Sequence, residues 1–95
     1  LEEIGVFSIV LECVPSRLAA KITKSVKVPT IGIGAGPSTD GQVLVLHDLL
    51  GFISVIKPRF VRRYLEMDAV VKKAVKKYTQ DVRKGKFPSR QESFQ

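Results

Sequence analysis

Two short apolar runs on either side of one amphipathic stretch restrict this chain more than any other feature of it. Val6 to Leu11 reads VFSIVL, an almost unbroken apolar run interrupted only by the small Ser8, which suits a strand buried on both faces. Pro15 then supplies a fixed φ suited to a helix start. Leu18, Ala19, Ile22 and Val26 recur at three- and four-residue steps, with Lys21, Lys24 and Lys27 off that face, which predicts a helix from Ser16 to Val26. In PTIGIGAGP, Thr30, Ile31 and Ile33 predict a second strand running into a glycine-rich loop, where Gly32, Gly34 and Gly36 leave no side chain above the backbone. Strand, helix and strand with short joins form a βαβ unit, whose strands are parallel and whose crossover is right-handed. The fold class that follows is α/β.

The next stretch, DGQVLVLHDLLG, supports two readings over 42–50. Val43 to Leu46 suits a strand, whereas Asp40 suits the cap of a helix ending at Gly51. A parallel crossover takes about a dozen residues or more, and only about seven separate the two apolar runs, so the balance favours the helix. A loop is expected around Ile53 to Pro58. Beyond it Phe60, Tyr64, Met67, Val71, Ala74, Val75, Tyr78 and Val82 repeat at three or four, predicting a long amphipathic helix over 60–84 that stops before Gly85. The ending KFPSRQESFQ has the composition of a surface tail over 85–95. Two strands and a long helix cannot cover both faces of a sheet, so more chain or a partner is expected to complete the core.

Length sets the same bound. The 95 residues allow one domain at most, and a chain of this size buries only about two-thirds of its unfolded surface. The chain begins at Leu1 and its only methionine is Met67, so the expectation is a piece cut from a longer protein. LEEIGVFSIVLE has no basic n-region, cleavage site or long apolar run, which points to a soluble intracellular protein with no membrane segment. Cys13, the single cysteine, lies in an apolar context and is read as a small core residue rather than a reactive thiol. The net charge of +7 is uneven: residues 57–95 carry twelve basic and four acidic side chains, against four and five in residues 1–56. That asymmetry raises nucleic-acid binding. However, Lys72, Lys73, Lys76 and Lys77 lie mostly opposite the apolar face, with no RNA motif or metal-finger spacing beside them, so a solvated face is the reading.

Glu12 is the residue most suited to chemistry. A carboxylate immediately after a buried strand sits at the carboxyl edge of the sheet, where parallel α/β folds place active sites. The structural alternative is that it caps the following helix or pairs with a lysine. His47 and Asp48 form a second candidate pair, although a lone histidine beside an apolar run is more often structural. GIGAG lacks both the P-loop lysine and the GxGxxG spacing, and reads as a close approach of backbone to a neighbour or ligand. Nothing here has the spacing of a complete metal site.

Three blocks in order, LEEIGVFSIVLECVP, VPTIGIGAGPSTDGQVLVLHDLLG and KPRFVRRY, resemble the C-terminal third of the ketopantoate hydroxymethyltransferases over almost the whole chain, and GKFPSRQESF resembles that family's ending. The resemblance implies the C-terminal portion of a (βα)8 TIM barrel of the phosphoenolpyruvate/pyruvate type, incomplete in this chain, since such a barrel takes about 250 residues. It implies transfer of a hydroxymethyl group from 5,10-methylenetetrahydrofolate to 2-oxoisovalerate, giving ketopantoate for pantothenate and coenzyme A synthesis. It also implies a magnesium ion that polarises the oxo acid, a cytoplasmic homo-decamer (or a mitochondrial one if the source is eukaryotic), and no nucleic-acid or membrane partner. The glutamate of the family's LECVP motif maps onto Glu12 as general base. The family's magnesium-binding aspartates, and its substrate-binding serine and lysine, lie on earlier strands outside these residues, so the chain alone is expected to be inactive. Ser38 and Thr39 fall where family members vary among small residues, FISVIKP is poorer in glycine and proline than the usual loop, and Gln91 or Glu92 stands where a histidine is usual.

Three other readings compete. One is a related barrel lyase acting on a phosphoenolpyruvate-like or 2-oxo acid, separable by folate dependence. Another is a small basic binding or assembly module built on the 60–84 helix, separable by salt-sensitive nucleic-acid binding. The last is a non-catalytic remnant.

Overall fold

The computed structural model describes residues 1–52 and 56–94. Its elements follow the chain as β1 (Ile9–Glu12), α1 (Ser16–Ser25), β2 (Thr30–Ile33), β3 (Gly41–Gln42), α2 (Leu46–Leu50) and α3 (Met67–Arg83). Two 3-10 turns, Glu2–Ile4 and Arg90–Glu92, lie near the ends. The three strands form one parallel sheet in the order β1-β2-β3, with Glu12 opposite Ile33 and Ile31 opposite Gly41. The α/β class and the βαβ unit are as expected. Helix α1 starts at Ser16 as the spacing predicts and ends one residue early.

One face of the sheet is covered. Side chains alternate along a strand, so Ile9 and Leu11 share a face with Thr30 and Gly32, while Val10 and Glu12 share the other with Ile31 and Ile33. Leu11, Ala19 of α1 and Ala35 form the core, with Ile9, Val14 and Ile22 packed against it. On the other face Val10 is 59% exposed. This corrects the expectation of a strand buried on both sides: α1 covers one face, and no described element covers the second. Leu18, expected on the buried side of α1, is also exposed; the helix contacts the sheet through the smaller Ala19.

Residues 41–50 hold a strand and then a helix, which corrects the expectation of a single helix there. The crossover rule assumes a return along the full length of the sheet. Here β3 pairs only with Ile31 and Gly32, so the loop from Gly34 to Asp40 steps back only about 7–10 Å, two or three strand residues. Left-handed Gly34 (φ 67°) and Gly36 (φ 80°) make so tight a return accessible. Asp40 does not cap a helix. Its carboxylate accepts from the Thr30 amide at 2.8 Å and so holds the start of β2. Gly51 does end α2, with φ 65° and its amide donating to the Asp48 carbonyl.

The long helix begins at Met67, not at residue 60. Phe60, Val61 and Tyr64 have helical spacing, but tertiary contacts override it: Val61 is buried, the Phe60 ring lies against Gly34, and the Tyr64 amide donates to the Leu49 carbonyl at 2.8 Å. Over Met67–Arg83 α3 then runs with no buried residue, its Val71, Val75, Tyr78 and Val82 row open to solvent. The expectation for FISVIKP falls in part outside the described residues. Beyond Gly85 the chain is exposed but not featureless: Glu92 accepts from the Ser89 amide and hydroxyl, forming a capping box, and Phe87 meets Tyr78 edge-on at 5.4 Å.

Candidate active site

Glu12 is the last residue of β1, on the sheet face that α1 leaves open. Its side chain is exposed, and among the described residues no hydrogen bond or ion pair engages its carboxylate. Neither structural alternative therefore describes it: the residue at the cap of α1 is Pro15, and no lysine pairs with Glu12. A carboxylate held by a strand end and left free is available to a reacting proton.

The backbone turns sharply immediately afterwards. Cys13 has φ 52°, the one positive value at a non-glycine among the described residues, and its amide donates to the Ile33 carbonyl at 2.9 Å. Next to it in the sheet, left-handed Gly34 turns the end of β2. A Cβ at Gly34 would lie 3.4 Å from the Cys13 sulfur and 3.0 Å from the Phe60 ring. Cys13 is exposed, which corrects its reading as a core residue: it follows the last paired strand position, where the chain leaves the sheet and α1 no longer shields it. Gly32 faces Thr39 and Gly36 faces Ser16, each too closely for a side chain to fit between. The glycine-rich loop thus serves close backbone packing, as its lack of a phosphate motif suggested.

A cleft of about 870 Å³ opens beside this edge, lined by Gly34, Gly36, Gln42, Phe60, Arg62 and Tyr64 among others. Arg62 and Tyr64 escape sequence reasoning because their spacing imitates a helix. The available signal was Pro58 just before them, which disfavours helical backbone at the preceding residue. His47 and Asp48 do not line this cleft. The His47 ring meets Phe52 edge-on at 5.7 Å and lines a smaller apolar cavity with Leu46, Leu50 and Met67. The carbonyls of His47 and Asp48 close the end of α2, which is a structural task.

Among the described residues no three of His, Cys, Asp and Glu converge as a metal site. Glu12 is the only carboxylate on the paired strands, so these residues do not fit magnesium by themselves. No described helix is long and apolar enough to cross a membrane.

A chain from Chlorobaculum parvum named 3-methyl-2-oxobutanoate hydroxymethyltransferase is 55% identical over 94 residues, covering 99% of this chain and 34% of the relative. Relatives of the same name from Caldicellulosiruptor saccharolyticus and Thermus thermophilus are 54% and 52% identical, again over 99% of this chain and 36% of each relative. The chain spans about a third of the length of the curated relatives it matches. The family profile described as ketopantoate hydroxymethyltransferase matches residues 1–90, the stretch that carries Glu12, the glycine-rich loop and the cleft, and the chain belongs to that family.

Proposed function

We propose that these residues are the closing part of a (βα)8 barrel, and that the whole protein transfers a hydroxymethyl group from 5,10-methylenetetrahydrofolate to 3-methyl-2-oxobutanoate. The observation that carries this is Glu12: an unengaged carboxylate at the carboxyl edge of a parallel sheet, on the face away from α1. In a barrel that face lies inward and that edge is the mouth where chemistry occurs. The barrel reading also accounts for the open face, because strands closing the ring would shield Val10 and Ile31.

The reaction begins at a weak carbon acid, the C3–H of the oxo acid. Glu12 takes that proton, and the resulting enolate carbon bonds to the donor's methylene group as the first of the two carbon–nitrogen bonds holding that group breaks, the released nitrogen taking the proton from Glu12. Water then supplies the hydroxyl as the second carbon–nitrogen bond breaks, its other proton going to that nitrogen. Magnesium, implied by the family resemblance, would polarise the oxo acid, with ligands from outside these residues. Homo-oligomeric assembly and a cytoplasmic location belong to the same proposal.

In the full-length protein carrying these residues, Glu12→Gln is expected to lower turnover by roughly 10²–10⁴, the range for a positioned base. A loss under threefold would remove Glu12 from the mechanism.

A further inference from the structure

The short link from β1 to α1 does not continue the alternation of the strand. Ile9 and Leu11 face α1, so an extended chain would send Cys13 to that face and Val14 to the face of Glu12. The order is reversed, because Val14 packs against the core of Leu11, Ala19 and Ala35. The left-handed backbone of Cys13, φ 52°, makes this reversal, and such a conformation is uncommon for any residue but glycine. With Val14 returned to the core, Glu12 is the last side chain that β1 places on the open face.

The turn is held from several directions. Glu12 stands opposite Ile33, and the Cys13 amide donates to the Ile33 carbonyl at 2.9 Å, so β1 stays bonded to β2 through the residue that turns. Downstream, the Pro15 carbonyl accepts from the Ala19 amide at 2.9 Å, and Ser16 lies against Gly36 with no room for a side chain between them. Beside Cys13, β2 turns at the same level through Gly34, φ 67°. A Cβ at Gly34 would lie 3.4 Å from the Cys13 sulfur and 3.0 Å from the Phe60 ring, so the turn is packed as well as hydrogen-bonded. Each of these contacts is internal to the chain and needs no further strand to form.

We infer that Cys13 is a positioning residue for Glu12: its left-handed backbone, locked between Ile33 and Gly34, fixes where the carboxylate leaves the sheet. The inference rests on the reading of Glu12 as the base. The thiol itself takes no part in the chemistry. Position 13 needs a side chain that accepts positive φ and fits beside Gly34, and a β-branched residue fails the first condition. A displacement of about 1 Å at a reacting group costs about 10²-fold in rate, so an altered turn is read in proton removal.

The test compares Cys13→Ser with Cys13→Thr in the full-length protein. Both replace the thiol by a hydroxyl, and they differ by the one methyl group that makes the side chain β-branched. Exchange of the C3 hydrogen of 3-methyl-2-oxobutanoate in D2O reports the proton-removal step. Cys13→Thr is expected to slow exchange tenfold or more per folded molecule, with affinity for the oxo acid within twofold, and Cys13→Ser to recover most of that loss. Equal losses in the two variants would assign the effect to the thiol and overturn the inference. A lowered denaturation midpoint in Cys13→Thr with exchange per folded molecule unchanged would also overturn it, since a purely structural turn gives that result. Gly34→Ala disturbs the same turn from the other side and is expected to slow exchange likewise; unchanged exchange there counts equally against the inference. Glu12→Gln, measured alongside, separates the two readings. If it exchanges within threefold of wild type, the base reading falls and takes this inference with it. If it loses exchange while Cys13→Thr does not, the positioning role alone falls.

Discussion

Thr30 is fully buried, and the hydrogen bonds of its hydroxyl can be counted completely. The oxygen donates to the Asp40 carboxylate at 3.2 Å and accepts from the Asp40 amide at 3.2 Å. The Thr23 hydroxyl of α1, at 2.8 Å, then donates to the remaining lone pair. Asp40 also receives the Thr30 amide, so one exposed aspartate ties β2, the loop before β3 and, through Thr30, helix α1. Asp40→Ala strands the buried amide, and is expected to cost about 1–3 kcal/mol, read as a lowered denaturation midpoint of the full-length protein. Asp40→Asn, which keeps an acceptor, should cost less. A change under about 0.5 kcal/mol, the usual size for surface substitutions, would mean that water replaces the carboxylate. The sequence marked Asp40 as a capping residue, because a short polar side chain at a chain turn seeks amides, but not which amides it would find. The place of Glu12 at the sheet edge was legible because the apolar run before it reads as a strand that ends there. The exposure of Cys13 was not, because composition does not show where a strand leaves its sheet.

At the level of elements, periodicity served where packing agreed with it and failed where packing did not. Helix α1 follows its pattern to within a residue. The pattern from Phe60 is equally regular, but Phe60 and Val61 are taken by the glycine loop and the core, and the helix starts a turn or two later. On α3, Lys72 pairs with Asp68 at 3.0 Å and Lys77 with Asp81 at 2.9 Å, so two of the four lysines serve the helix itself. Such exposed pairs contribute about 0.3–0.5 kcal/mol each. The tail carried a signal that composition hid: SRQE, Ser89 to Glu92, is the spacing of a capping box. Hydrogen bonds from the Ser89 hydroxyl and amide hold the Glu92 carboxyl below its ordinary pKa. A depressed carboxylate contributes its stabilisation above the unfolded pKa and loses it as pH falls through the folded one. The turn is therefore expected to be formed at pH 7 and to open below the usual glutamate range. Titration of the Ser89 and Gln91 amide shifts by NMR would show this. A midpoint at or above the ordinary glutamate value would contradict the box, and Glu92→Gln should shift the Ser89 amide already at neutral pH.

The whole molecule is elongated, 68 × 29 × 15 Å, with a radius of gyration of 22.3 Å. A compact chain of this length would have about 12 Å. The buried apolar side chains among the described residues are Leu11, Ala19, Ala35 and Val61, two of them alanines, while Phe7, Val10, Val75 and Tyr78 stand open to solvent. So small a core cannot offset the entropy of ordering the chain, which costs about 1–2 kcal/mol per residue for the backbone alone. The missing apolar contacts must come from elsewhere. Barrel strands would cover the face bearing Val10, and further chain or a second subunit would cover the α3 row. The isolated 95 residues are thus expected to show helical far-UV dichroism without a cooperative thermal transition, and to bind a hydrophobic dye. The same residues in the full-length protein should unfold in one sharp step, with α3 amides protected from exchange as strongly as those of β1 and β2. A cooperative transition in the isolated chain, with protected α3 amides and no dye binding, would show that these residues fold without further chain. Glu12 would then face solvent rather than a barrel mouth, and the barrel assignment would lose its physical basis.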